Sequence, residues 1–129
     1  TKFIEAKKKK LKRIKLLGTG KPLREFIHSD DLADAIIKCL KISKNELRNK
    51  FRSKLPMLNV GTGENISILN LSKMIAKFLD FNGKILFDKN YPDGTFKKDL
   101  NSSNIYSLGW RPKITFNEGL EKVIKNRIN

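Results

Sequence analysis

Arg24 is the residue with the most to offer a ligand in this sequence. A planar guanidinium forks two oxygens of a diphosphate or a ribose, and this one follows the turn Gly18-Thr19-Gly20-Lys21-Pro22. A structural salt bridge to Glu25 or Asp30 is its alternative use. Asp93 stands on a Pro92-Asp93-Gly94 turn, where a carboxylate accepts from paired hydroxyls or bonds its own backbone. The amides of Gly61-Thr62-Gly63 suggest a phosphate cradle, but the turn ends a strand well before the next helix cap, so a strand-to-loop turn is expected. Asp30 and Asp31 are expected to offset the unpaired N–H groups of a helix start rather than to hold a metal. His28 reads as a turn-positioning residue rather than a catalyst. Cys39, the single cysteine, excludes an internal disulfide and a cysteine metal site. It falls in an amphipathic stretch and reads as a core thiol, which suits a reducing compartment and a cytoplasmic location.

The elements that must position these groups alternate between helix and strand, giving an α/β class. A helix is expected over Lys2 to about Lys10 with Phe3, Ile4 and Leu11 apolar, then a strand over Ile14-Lys15-Leu16-Leu17. Arg24 to His28 reads as extended, and Ser29 and Asp30 open a helix carrying Leu32, Ala33, Ile36, Ile37 and Leu40. Ser43 to Lys54 reads as a polar surface connection and Met57 to Val60 as a buried strand. Ser67 caps a helix with Leu71, Met74, Ile75, Phe78 and Leu79. A strand at Lys84 to Asp88, a loop at Tyr91 to Thr95, and a short helix from Ser102 stopped by Gly109 follow. Thr115 and Glu118 form a capping box for a last helix to about Arg127.

The 129 residues leave room for one domain, and no apolar run approaches the ~20 residues of a membrane span. The net charge of +15 includes a dense run at Lys7, Lys8, Lys9, Lys10, Lys12, Arg13 and Lys15. Lysine outnumbers arginine 22 to 6, and the lysines scatter over expected solvent faces. No zinc-finger spacing, aromatic RNP pattern or basic zipper accompanies them, which favours a solvated surface over nucleic acid. A basic module on nucleic acid or an anionic surface stays open as a second function class. The chain opens on Thr1 rather than Met, so the lack of a leader carries little.

Several segments together carry a resemblance. Leu17-Gly18-Thr19-Gly20-Lys21-Pro22-Leu23-Arg24-Glu25-Phe26-Ile27-His28-Ser29-Asp30-Asp31-Leu32-Ala33 resembles a signature of extended short-chain dehydrogenases/reductases that act on nucleotide-sugars. Asn59-Val60-Gly61-Thr62-Gly63 and Leu108-Gly109-Trp110-Arg111-Pro112 are similar to later motifs of that superfamily, in the same order. Tyr91-Pro92-Asp93-Gly94-Thr95-Phe96-Lys97-Lys98 and Phe3-Ile4-Glu5-Ala6 resemble stretches of the GDP-L-fucose synthase family.

That resemblance implies a 3,5-epimerisation of GDP-4-keto-6-deoxy-D-mannose followed by NADPH-dependent reduction to GDP-L-fucose. A sister nucleotide-sugar epimerase or dehydratase is the alternative. The family's glycine-rich cofactor loop, its Ser/Tyr/Lys reduction machinery and its Cys/His epimerisation pair lie N-terminal to these motifs. Residues 1–129 would then be the C-terminal nucleotide-sugar-binding region, with 1–15 a basic helix and strand and 43–54 a variable polar connection. The Rossmann half would be absent from the chain, NADP(H) would bind only the full-length enzyme, and the full-length protein would be a homodimer. Implied substrate contacts are Arg24, Asp93, Lys98, Lys2 (a basic position before Phe3) and Leu17. At Leu17 the family often carries Trp, so the apolar contact is kept and the π-face lost. Segments 31–40 and 58–60 would pack on the absent sheet, while 84–88 and 115–127 would build the substrate lobe.

Overall fold

The structure, a computed structural model, describes residues 1–52 and 57–128. Its elements run α1 (Lys2–Lys8), β1 (Arg13–Leu17), β2 (Leu23–Glu25), α2 (Ser29–Leu40), α3 (Lys44–Phe51), β3 (Asn65–Ser67), α4 (Ile68–Phe78), β4 (Lys84–Asp88), β5 (Lys97–Lys98), α5 (Ser103–Ser107) and α6 (Phe116–Ile128). The class is α/β. Its contacts divide into two compact units: residues 1–24, 65–98 and 117–129, and residues 25–64 and 99–116.

The first unit is built on parallel pairings. β1 lies beside β4 with Ile14 opposite Ile85 and Leu17 opposite Asp88. β2 sits between β3 and β5, with Leu23 opposite Lys97 and Arg24 opposite Lys98. Phe3, Ala6, Ile14, Leu79, Phe81 and Ile124 form its buried cluster, with Leu16, Ile75, Phe78 and Leu120 packed around them. The Phe3 and Phe81 rings meet edge to face, 5.8 Å between centroids. Side chains of this size contribute about 1.5–3 kcal/mol each when fully buried, so this cluster carries the stability of the unit.

α1 stops at Lys8, two residues short of the expected end, and α4 ends in the same way. Lys10 (φ 51) and Asp80 (φ 49) take the left-handed conformation just past their helices. The following amides of Leu11 and Phe81 reach back to the carbonyls of Ala6 and Ala76, 2.9 and 2.8 Å away. These are Schellman closures made without glycine. Gly109 (φ 80) closes α5 by the same geometry, with the Trp110 N–H donating to the Ile105 carbonyl. At the other end of α4, Ser67 Oγ accepts from the Asn70 N–H at 3.1 Å, the cap its position dictates.

The second unit has a smaller buried cluster of Ala35, Ile105 and Trp110, with Ile27, Cys39, Val60 and Tyr106 against it. Here the structure corrects several expectations. The helix-start cap of α2 is His28, whose Nδ1 accepts from the Asp30 N–H at 3.2 Å. Asp31 is acidic in the first turn of α2, but its carboxylate caps no helix-start N–H among the described residues. It is buried and accepts the backbone N–H groups of Lys113 (3.1 Å) and Ile114 (2.9 Å), which fastens the chain after Trp110 to α2. The polar stretch after Ser43 is helical over Lys44–Phe51, started by Ser43 Oγ accepting from the Glu46 N–H. The cap starts a helix whose large apolar positions are just Leu47 and Phe51, too few for periodicity to reveal. Residues 53–54 of the expected connection lie outside the described residues. Met57 to Val60 is not a strand, because no neighbouring strand pairs with it among the described residues.

Candidate functional site

All five residues singled out as ligand contacts fall in the first unit. β1 delivers Leu17 at its C-terminal end, 57% exposed, and then turns through Gly18-Thr19-Gly20 into β2. β2 presents Arg24, and the parallel register sets Lys98 of β5 directly beside it. Two cations on neighbouring strands of one ladder make a local field suited to a diphosphate.

Arg24 forms neither of the salt bridges weighed for it. Among the described residues its Nη1 donates to the Leu23 carbonyl at 2.6 Å and to the Thr95 carbonyl at 3.0 Å. One edge of the guanidinium is thereby fixed by backbone, which orients the remaining edge. Asp93 likewise does not bond its own turn. Its Oδ1 accepts the Thr19 N–H at 2.6 Å and its Oδ2 the Thr19 hydroxyl at 2.5 Å, across 74 residues of sequence. These bonds, the hydroxyl first and then the amide, together with the Lys21 charge, hold the Asp93 carboxyl below its ordinary range. Asp88, opposite Leu17, is lowered in the same sense, chiefly by its hydrogen bond with Lys15 at 2.6 Å. Lys2 lies at the start of α1 with its Nζ 3.5 Å from the Lys15 carbonyl.

The second unit holds the residue that sequence reasoning missed. Glu25 Oε1 accepts the N–H groups of Thr62 (2.5 Å) and Gly63 (2.7 Å), and Oε2 accepts that of Leu100 (2.9 Å). A Cβ on Gly61 would lie 2.4 Å from Glu25 Oε1, so only glycine admits the carboxylate. The Thr62 and Gly63 amides therefore already hold an anion from the chain itself. Near them, the Tyr106 hydroxyl donates to the Gly61 carbonyl at 2.7 Å, and the Arg111 guanidinium lies 3.9 Å from the Tyr106 ring centroid. Trp110 Nε1 donates to Asp34 Oδ2 at 3.1 Å, so the Leu-Gly-Trp-Arg-Pro segment is anchored structure. The glutamate's place beside Arg24 was the available signal, but nothing local specifies three amide partners that lie 37 to 75 residues away.

The Gly18-Thr19-Gly20 and Gly61-Thr62-Gly63 turns are poor cradles for the pyrophosphate of a nicotinamide dinucleotide. Such a cofactor needs free turn amides at a helix start to hold its pyrophosphate. Here the amide of Thr19 is taken by Asp93, and those of Thr62 and Gly63 by Glu25. No group of three or more His, Cys, Asp or Glu among the described residues is placed to hold a metal ion. No helix among them is long and apolar enough to cross a membrane.

Comparison with known proteins agrees with this architecture. Residues 1–61 match the NAD dependent epimerase/dehydratase family. The probable GDP-L-fucose synthase 1 of Oryza sativa subsp. japonica is 39% identical over 123 residues, which is 95% of this chain and 35% of that protein. Among solved structures, a GDP-6-OMe-4-keto-L-xylo-heptose reductase from Campylobacter jejuni is 36% identical. Its TM-score is 0.79, with all of this chain and 40% of that one covered. A GDP-D-glycero-L-gluco-heptose synthase from Campylobacter jejuni, solved in the presence of NADPH, is 34% identical. Its TM-score is 0.78, over 92% of this chain and 34% of that one. The chain spans about a third of the length of the curated relatives it matches. Residues 1–61 thus match the NAD dependent epimerase/dehydratase family, and nearly the whole chain is similar to GDP-L-fucose synthases.

Proposed function

We propose that this chain is the C-terminal, substrate-binding portion of a GDP-L-fucose synthase. That enzyme converts GDP-4-keto-6-deoxy-D-mannose to GDP-L-fucose by 3,5-epimerisation and NADPH-dependent reduction. The observation that carries the reading is 39% identity to a GDP-L-fucose synthase over 95% of the chain. The paired cations of β2 and β5 support the same ligand class.

In this reading Arg24 holds the diphosphate through the guanidinium edge that the Leu23 and Thr95 carbonyls leave open. Lys98 adds a point charge beside it. Asp93 has acceptor capacity left after Thr19 and takes hydroxyls of the sugar or ribose. Leu17 gives the nucleotide an apolar contact and Lys2 a distal positive charge. Nicotinamide supplies the hydride when it is bound. Its site and the proton-transfer groups are assigned to a Rossmann half of the same protein, which pairs as a homodimer in the cytoplasm.

Titration calorimetry with GDP tests the reading. Arg24→Ala is expected to weaken GDP roughly 10- to 150-fold, the range for a lost hydrogen bond to a charged group. Arg24→Lys recovers only part of that, since the fork is gone. Failure of the unaltered protein to bind GDP would remove the proposal. Unchanged affinity in Arg24→Ala would remove Arg24 from the site. A panel of GDP-4-keto sugars, with Leu17→Trp beside the native residue, tests sugar preference.

A further inference from the structure

We propose that Thr19 is a positioning residue for Arg24, acting through Asp93 and Thr95. The inference rests on the reading of Arg24 as a diphosphate ligand.

Thr19 engages one carboxylate twice. Its N–H donates to Asp93 Oδ1 at 2.6 Å and its hydroxyl to Oδ2 at 2.5 Å. Two bonds from one residue to both oxygens fix the rotation of the carboxylate as well as its place, as a bidentate pair does. The turn is shaped around this clasp. Gly18 (φ 78) sits so that a Cβ would lie 2.4 Å from Asp93 Oδ1, and Gly20 (φ 77) so that a Cβ would lie 2.6 Å from the Phe87 ring. The Thr19 hydroxyl oxygen also accepts the Lys21 N–H at 3.2 Å, which aims its proton at Asp93.

The consequence reaches Arg24 through Thr95, two residues beyond Asp93. The Thr95 carbonyl accepts Arg24 Nη1 at 3.0 Å, and the next carbonyl, of Phe96, accepts the Leu23 N–H at 2.7 Å. Thr95 and Phe96 are otherwise exposed, at the end of a turn whose glycine, Gly94, has no heavy atom within 4 Å of its Cβ position. The Thr95 carbonyl is therefore held on the guanidinium from two sides, by Asp93 before it and by the β2–β5 pairing that starts at Phe96 after it. Thr19 sets Asp93, Asp93 sets Thr95, and Thr95 sets which edge of Arg24 is left for a phosphate. The depressed Asp93 carboxyl agrees with a clasp that is ionised near neutral pH.

The test is a double-mutant cycle read by GDP titration and by thermal melting. Thr19→Val keeps the side-chain shape and removes the hydroxyl. It is expected to weaken GDP roughly 5- to 10-fold in the native background, less than the loss of a direct hydrogen bond to a charged ligand because Thr19 acts at one remove. In the Arg24→Ala background the further loss should be clearly smaller, limited to what Thr19 contributes through Asp93 itself. Thr19→Ser should restore native affinity. Should Thr19→Val fail to fold, Gly18→Ala keeps the hydroxyl yet displaces Asp93, and the same pair of outcomes is expected. A lower melting midpoint with unchanged GDP affinity would overturn the inference while leaving the site intact. An equal loss in both backgrounds would do the same. If Arg24→Ala itself leaves GDP affinity unchanged, the underlying site reading fails, and this inference with it.

Discussion

The Glu25 carboxylate accepts the Gly63 N–H at 2.7 Å with the same oxygen that takes the Thr62 N–H at 2.5 Å. A glycine turn with two converging amides is an anion site by geometry, and here the anion is covalently part of the protein. Its second oxygen ties in Leu100. One side chain thus satisfies three backbone donors drawn from two distant stretches of chain.

Removing it should cost more than a surface substitution. Glu25→Ala is expected to destabilise the protein by about 1.5–3 kcal/mol, since a charged acceptor is lost and the part-buried Thr62 amide is left unpaired. Glu25→Gln keeps one acceptor oxygen and turns an amide donor on another N–H, so an intermediate loss is expected. Denaturant melts of both variants provide the check. Phosphate titrated into the native protein should leave the amide resonances of Thr62 and Gly63 in place. If those resonances move with native stability retained, the internal anion is displaceable.

Acid should open the clasp between Thr19 and Asp93. The Asp93 carboxyl is held below its ordinary range by the Thr19 hydrogen bonds, so its folded pKa lies under its unfolded one. Such a group contributes stability that is fully present above the unfolded pKa, about 3.9 for Asp, and is lost as pH falls through the folded value. Asp88, lowered by Lys15, acts with the same sign. Melting midpoints taken from pH 6 down to pH 2 should show Asp93→Asn less stable than the native protein at the upper end. The two should converge below about pH 4. A constant gap across the range would show that the Asp93 charge is not used.

The purified 129-residue chain should not oxidise NADPH with GDP-4-keto-6-deoxy-D-mannose. Its turn amides are occupied by Asp93 and Glu25, and none of its residues is assigned a proton-transfer role. Absorbance of the reduced nicotinamide is the readout. Turnover above the uncatalysed rate would require a cofactor site built from these residues and would remove the proposed division of labour.

What was legible in the sequence was local. Ser67 before an apolar run specified α4 and its cap, the apolar strand 84–88 specified β4, and Gly109 specified the end of α5. Each signal acts over a few residues. The left-handed ends at Lys10 and Asp80 were not legible, because a Schellman closure there uses residue types that leave no glycine mark. Met57 to Val60 misled because strand propensity without a neighbouring edge makes no ladder. The groups that organise the candidate site were the least legible. Asp31, Glu25 and Asp93 find partners 37 to 83 residues away, where spacing carries no information. Motif resemblance pointed to Arg24, Asp93 and Lys98, and nothing in the sequence marked Thr19, bonded to Asp93, or Thr95, bonded to Arg24.

Protection from hydrogen exchange should differ between the two units. In the first, α4 and α6 enclose a cluster that includes Phe3, Leu79, Phe81 and Ile124. In the second, α2 buries only Asp31 and Ala35. Its apolar positions look outward instead: Leu32 is 39% exposed, Ile36 52%, Ile37 51% and Leu40 80%. A helix whose aliphatic stripe faces water forgoes about 1.5–3 kcal/mol for each large side chain left unburied, against a typical net stability of about 5–15 kcal/mol. The proposed reading assigns that stripe, with Leu58 and Val60, to the Rossmann sheet. For the chain by itself, amides in 31–40 and 57–60 should exchange early, and those in 68–79 and 116–126 later. The exposed stripe should also drive self-association that grows with concentration and salt, since screening weakens the repulsion of a +15 chain. Exchange resolved by mass spectrometry, with sedimentation on the same sample, measures both. Uniform strong protection across all four segments in a monomer would show that α2 needs no further partner, and the assignment of its apolar face to an absent sheet would then fall.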